Sequence, residues 1–131
     1  MPTLEQHTIQ AEHNEEMLKF MTQQKQQAYF SDWCITIAFY TALHSFEAVI
    51  AANKPTIRSG VTNAAVEHSP SHYARNEIMK SLFNNIHRPY AALYRMSRIA
   101  RYDCHAPNSH NWADAEVFLG DVKNECGKLI T

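Results

Sequence analysis

Apolar residues recur with a helical period along most of the chain, which predicts α-helices rather than strands. The first helix is expected to begin at Thr3, because Gln6 follows it at the spacing of a capping box. Charged residues alternate with an apolar stripe, as is typical of a helix with one face in solvent. The predicted inward side chains are Ile9, Met17, Phe20 and Met21.

A second helix, from about Asp32 to Ala52, is apolar on nearly every side, so other helices are expected to surround it. Ser31 is its expected N-cap, and Pro55 follows its expected end. Its length would also suit a membrane span, but His44 and Glu47 near its middle favour the centre of a soluble bundle. One predicted apolar face carries Ile35, Ala38, Phe39, Ala42, Phe46, Val49 and Ile50, and a second carries Trp33, Ile37 and Tyr40.

The segment after this helix is expected to be a loop over residues 55–68. Ser69, followed by Pro70, predicts the N-terminus of a third helix that ends near Phe83. Asn84-Asn85 and Pro89 mark a break or kink, and a further helix is expected over roughly residues 87–103.

The last helix is expected over residues 112–129, capped by Asn111 with Asp114 three residues later. Its predicted inward side chains are Trp112, Val117, Phe118, Val122 and Leu129. These elements predict one domain over residues 1–131, an all-α, up-and-down bundle of four to five helices.

Composition and charge indicate the cellular compartment of the protein and limit the kinds of partner that it can bind. Three cysteines without a CxxC pair suit reduced thiols, and the N-terminus lacks the pattern of a signal peptide, so a cytoplasmic protein is expected. A net charge of −1 gives no general attraction to nucleic acid or anionic membrane. However, residues 71–102 carry six basic side chains and one acidic side chain. This segment is either neutralised within the bundle or forms a local anion site.

Polar residues on the central helix indicate a candidate ligand site. Tyr40, His44 and Glu47 lie within about 60° of one another around a helix, at about 100° per residue. On the later helix, Tyr90, Tyr94, Ser97 and Arg101 share a stripe. A pocket between the two stripes would suit a base and a phosphate. The six residues predicted to bind the ligand are Tyr40, His44, Glu47, Tyr94, Ser97 and Arg101. The alternative is a buried network in which Glu47 pairs with Arg101 or Arg98.

Metal ligands are present without a recognised spacing. His68 and His72 lie four residues apart, and Cys104, His105 and His110 crowd one predicted loop. A Zn²⁺ site needs three or four converging ligands. We therefore expect no metal ion and no cofactor, and leave open whether either group binds one.

Two segments resemble the HEPN superfamily of small helical bundles. Residues 32–48 are similar to the family's helix with a tryptophan, an aromatic pair and a histidine, with Phe39-Tyr40 in place of the pair. Residues 90–103 are similar to a later helix of the family. In that helix a tyrosine, a leucine, a serine or arginine, an alanine and a second tyrosine follow one another at fixed spacings. The resemblance covers most of residues 10–129.

The resemblance implies a module of toxin–antitoxin, defence or nucleotide-handling systems. It implies a homodimer that binds a nucleotide, RNA or a protein such as a nucleotidyltransferase-like partner, and neither a membrane protein nor a reader of DNA sequence. Catalytic members cleave RNA without metal, using an arginine and a histidine with four to six residues between them. Arg98 and His105 have six residues between them, and Ile99 stands where catalytic members usually have a polar residue.

Three functions therefore stay open. The first is a binding or regulatory module without established catalysis. The second is a metal-independent endoribonuclease that uses Arg98 and His105. The third is a structural or antitoxin-like interaction protein.

Overall fold

A computed structural model of the chain describes residues 2–23, 30–59, 62–69, 71–102 and 111–130. The described residues form five helices and one short hairpin, which confirms the all-α bundle. The elements are α1 (Leu4–Thr22), α2 (Ser31–Asn53), β1 (Thr56–Ser59), β2 (Thr62–Ala65), α3 (His72–Leu82), α4 (Asn84–Tyr102) and α5 (Trp112–Ile130).

Local capping signals predicted two helix starts correctly. The Thr3 hydroxyl accepts a hydrogen bond from the Gln6 N–H, and the Gln6 side chain accepts one from the Thr3 N–H. At α5, the Asn111 side chain accepts from the Asp114 N–H at 3.1 Å and also donates to the Asp114 carboxylate. These caps are formed by residues three apart, so they need no tertiary information.

Two other predicted caps are wrong by one or two residues. α2 begins at Ser31 itself, with Phe30 in the N-cap position. α3 is capped by Ser71, whose hydroxyl accepts from the Ala74 N–H, and not by Ser69. The Ser69 N–H bonds to the side chain of Glu47, so Ser69 serves a tertiary contact instead.

The central helix is α2, which packs against α1, α4 and α5. All seven residues of its first predicted apolar face are buried, whereas Ile37 and Tyr40 on the second face are partly buried and Trp33 is 58 % exposed. By length and composition alone α2 could cross a membrane, but 72 % of its most apolar 18-residue window is buried within the protein. Lys54 ends the helix in the left-handed conformation, with φ of 44°, and its N–H bonds to the Ile50 carbonyl.

The segment after α2 contains a hairpin where a loop was predicted. Strands β1 and β2 pair antiparallel, with Ile57 opposite Ala64 and Ser59 opposite Thr62. Each strand has only four residues, too few for an apolar alternation to stand out in the sequence. The predicted end of the third helix near Phe83 is confirmed, but α4 begins at Asn84 instead of near residue 87, so Pro89 lies inside α4 and does not break the chain.

The inward faces of α1 and α5 differ from the predicted faces. Ile9 of α1 and Val117 of α5 are 57 % and 61 % exposed. Of the predicted inward residues of α5, Val122 is buried as expected. The other buried residues lie at positions that were not predicted, namely His7, Ala11 and Leu18 on α1 and Ala115, Leu119 and Cys126 on α5. Small side chains at Ala11 and Ala115 allow close helix packing, so the largest apolar residues do not define the inward face.

Val122 and Val117 on α5 give a matched test of this packing. We expect Val122→Ala to lower the free energy of unfolding by about 2 kcal/mol, because it removes buried methyl groups and leaves a cavity. Val117→Ala should change it by less than about 0.5 kcal/mol, because that side chain is mostly in solvent. Urea denaturation measures both, and equal effects would contradict the assigned orientation of α5.

Candidate functional site

The predicted polar stripe on α2 is divided between two clusters in the structure. Glu47 and His44 face α1 and the segment before α3, and Tyr40 faces the C-terminal part of α4. We call the first the histidine–glutamate cluster, which consists of His7, His44, Glu47, His68 and Arg75. We call the second the arginine–tyrosine cluster, which consists of Tyr40, Tyr94, Ser97, Arg98, Arg101 and Tyr102.

Glu47 is fully buried, with 0 % of its surface exposed. Its Oε1 accepts a hydrogen bond of 2.7 Å from Arg75 Nε, and its Oε2 accepts one of 3.1 Å from the Ser69 N–H. The predicted pairing of Glu47 with Arg98 or Arg101 is therefore wrong. The start of α3 lies over the middle of α2 and supplies the cation, whereas Arg101 bonds to Tyr40, about 10 Å farther along the helix.

Three histidines lie against this buried carboxylate. His7 Nδ1 and His44 Nδ1 are 3.1 Å apart, and the rings of His7 and His68 stack with centroids 5.4 Å apart. His68 Nδ1 is 3.0 Å from Glu47 Oε2. Burial lowers the pKa of His7 and of His44 below the usual histidine value, although Glu47 partly opposes this. Both imidazoles are therefore neutral near pH 7.

His72 joins the two clusters. Its Nδ1 is 3.2 Å from Arg75 Nη1, and its ring lies 5.5 Å from the Tyr94 ring and 6.0 Å from the Phe39 ring. Burial, followed by the positive charge of Arg75, lowers the pKa of His72. A neutral His72 can accept a hydrogen bond from Arg75, which holds the guanidinium against Glu47.

The arginine–tyrosine cluster centres on Arg101. Its Nη1 donates to the Tyr40 hydroxyl at 3.0 Å, and its Nε donates to the Ser97 carbonyl at 3.2 Å. The guanidinium carbon lies 5.9, 5.7 and 5.2 Å from the ring centroids of Phe39, Tyr40 and Tyr102. Within the part of the chain that the structure describes, no carboxylate forms an ion pair with Arg101.

Arg98 lies at the exposed edge of the same cluster. Its Nη1 donates to the Tyr94 hydroxyl at 3.2 Å, and its guanidinium carbon is 5.8 Å from the Tyr94 ring centroid and 5.9 Å from that of Tyr102. A shallow cavity of about 320 Å³ opens here, lined by Tyr94, Arg95, Arg98, Ile99 and Tyr102. Aromatic faces and guanidinium groups therefore reach solvent together.

The structure brings together Tyr40, Tyr94, Ser97 and Arg101, four of the six predicted ligand-binding residues. His44 and Glu47, the other two, belong to the histidine–glutamate cluster. His105, Cys104 and His110 lie outside the described residues. The Arg98–His105 pair therefore stays a prediction, and whether Cys104, His105 and His110 bind a metal ion stays open.

Two residues of the histidine–glutamate cluster, His7 and Arg75, and the backbone donor Ser69 could not be selected from the sequence. His7 and Ser69 sit in ordinary polar surroundings, and Arg75 is one of six basic residues in its segment. The available signal was indirect. A carboxylate inside an apolar helix requires a cation and further donors, but the sequence does not say which ones.

Comparison with protein-family models, with curated proteins and with solved structures gives no match. The resemblance to the HEPN superfamily therefore stays a prediction from the sequence.

The ion pair between Glu47 and Arg75 gives a sharp stability test. We expect Glu47→Gln to lower the free energy of unfolding by about 3–5 kcal/mol, because it leaves the Arg75 charge buried without a counterion. Glu67→Gln is the matched control, since Glu67 pairs with Lys54 in solvent, and should cost less than about 1 kcal/mol. Urea denaturation at pH 7 measures both changes. A cost below about 1 kcal/mol for Glu47→Gln would contradict a buried ion pair.

Proposed function

We propose that this protein is a HEPN-type binding module whose arginine–tyrosine cluster binds a nucleotide, free or within single-stranded RNA. The observation that supports this most directly is the environment of Arg101. It lies against three aromatic rings and donates to Tyr40, but no described carboxylate neutralises it. A guanidinium group that has no carboxylate partner can bind a phosphate group.

The charge around the cluster supports an anionic ligand. Arg95 and Arg98 are exposed on the same helix as Arg101, and both belong to the basic segment 71–102. Arg75 of that segment is neutralised internally by Glu47. The local charge around the cluster is therefore positive although the whole chain has a net charge of −1.

The tyrosines supply the second half of nucleotide recognition. Tyr102 is 68 % exposed, and the Tyr94 ring is half-buried beside the cavity. Stacking of a base on an exposed aromatic ring contributes about 1–3 kcal/mol. Single-stranded RNA offers unstacked bases next to phosphates, so it can use the rings and the guanidinium groups together.

The endoribonuclease alternative is favoured by one observation on the same surface. Arg98 is exposed and bonded to Tyr94, so it could contact a bound phosphate without a change of fold. In that alternative Arg98 stabilises charge on the phosphate, and His105 transfers the proton. Binding and cleavage can then be measured on one RNA probe.

The remaining expectations about partners and location stay predictions. They are the homodimer, the nucleotidyltransferase-like partner, the alternative of a structural or antitoxin-like interaction protein, and the cytoplasm. Support for an interface between protein chains comes from large apolar side chains that are exposed in one chain, including Ile9, Trp33 and Val117. The burial of α2 within the bundle is compatible with a soluble protein.

The binding proposal is tested with a fluorescently labelled single-stranded RNA of about 12 nucleotides and fluorescence anisotropy at low salt. We expect Arg101→Gln and Tyr102→Ala each to weaken binding about tenfold, which is within the range for one stacked base or one phosphate contact. Arg88→Gln is the matched control. Arg88 is exposed on the same helix but about 20 Å from Arg101 along the axis, and should change the affinity less than twofold.

Further measurements separate the alternatives. Competition by AMP at millimolar concentration would identify a free nucleotide as a sufficient ligand, and its failure would favour RNA. Cleavage of the probe that is lost in both Arg98→Gln and His105→Ala would support the endoribonuclease. If the unmodified protein does not bind the RNA or AMP, the proposed function is wrong.

A further inference from the structure

The histidine–glutamate cluster lies below an open groove at the other end of the polar stripe. The groove has a volume of about 450 Å³ and is lined by Pro2, Gln6, His7, Gln10 and His44. His7 belongs to both the groove and the cluster, so a small solute in the groove reaches the edge of the buried site.

Two ring nitrogens in this cluster are buried without a hydrogen-bond partner. They are His7 Nε2 and His68 Nδ1. His7 as a whole is only 2 % exposed. His68 Nδ1 lies 3.0 Å from Glu47 Oε2, but the approach lacks the direction of a hydrogen bond, so the contact does not satisfy it. A buried polar atom without a partner is costly and needs an explanation.

His7, His68 and Glu47 also form a group of possible metal ligands. One ligand atom from each of His7, Glu47 and His68 lies within 4.8 Å of the other two. We propose that His7 Nε2, Glu47 Oε2 and His68 Nδ1 bind a divalent transition-metal ion. Zn²⁺ is the ion with which we describe and test the site. This departs from the expectation of no metal drawn from the sequence, and it does not depend on the proposed nucleotide binding.

Hydrogen bonds from neighbouring residues hold these side chains in place, as they do around the ligands of known metal sites. The bond between His7 Nδ1 and His44 Nδ1 can take its hydrogen from His7, which leaves a lone pair on His7 Nε2. Arg75 occupies Glu47 Oε1, and the Ser69 N–H donates to Oε2 at 3.1 Å, so the carboxylate would offer the remaining lone pair of Oε2 to the ion. Glu47 is thereby held in place before any ion binds.

The donor set selects the class of ion. Two imidazole nitrogens and one carboxylate oxygen suit Zn²⁺ and its neighbours in the first transition row, whereas Mg²⁺ and Ca²⁺ prefer oxygen ligands. In a tetrahedral Zn²⁺ site, ligand atoms lie about 3.3–3.5 Å apart. The three ligand atoms now lie within 4.8 Å of one another, so a tetrahedral site would need them to move closer together by about 1 Å. Three protein ligands leave a coordination position for water or a solute.

Isothermal titration of the untagged protein with ZnCl₂ tests the site. We expect one ion per chain, and a loss of affinity of at least about tenfold in His7→Ala and in His68→Ala. His13→Ala is the matched control, because His13 is an exposed histidine six residues along the same helix, and should bind as the unmodified protein does. Circular dichroism establishes whether each variant is folded.

A second measurement needs no variant. In a long-range ¹H–¹⁵N correlation spectrum of the histidine side chains, Zn²⁺ should shift His7 Nε2 and His68 Nδ1 and leave His13 unchanged. Absence of stoichiometric binding by the unmodified protein, or unshifted His7 and His68 nitrogens at saturation, would overturn the proposal. Full affinity in folded His7→Ala and His68→Ala would overturn it as well.

Discussion

The buried ion pair between Glu47 and Arg75 is the interaction on which the rest of the structure depends. A carboxylate with no solvent contact in the most apolar helix is stable only if a cation and further donors reach it. Arg75 brings the start of α3 over α2, and the Ser69 N–H holds the segment before α3 at the same carboxylate. The hairpin between α2 and α3 spans the turn that makes this approach possible.

The same interaction explains how the polar stripe of α2 is divided. With Arg75 at Glu47, Arg98 and Arg101 have no described carboxylate and remain directed at tyrosines. One basic segment therefore supplies a structural cation at one end and uncompensated cations at the other. His72 contacts both groups, through Arg75 and through the Tyr94 ring.

The sequence predicted correctly those features that depend on nearby residues, and the burial of a helix that is apolar on nearly every face. The caps at Thr3 and Asn111 need only residues three positions away, and α2 is apolar on so many sides that its burial follows directly. The sequence did not predict the burial of a polar residue when that burial depends on contact with an element far away in the chain. His7 counts as polar in any pattern, and its burial comes from His44, 37 residues away.

Glu47 also has a consequence for the chain before the bundle forms. α2 is long and apolar enough to enter a lipid bilayer, and its neighbouring helices cover it only after folding. A single acidic residue near the centre of such a helix costs about 2.5–3.5 kcal/mol on insertion into membrane. The carboxylate that later anchors α3 therefore disfavours partition of the newly made helix into lipid, at the stage when Arg75 is not yet in place.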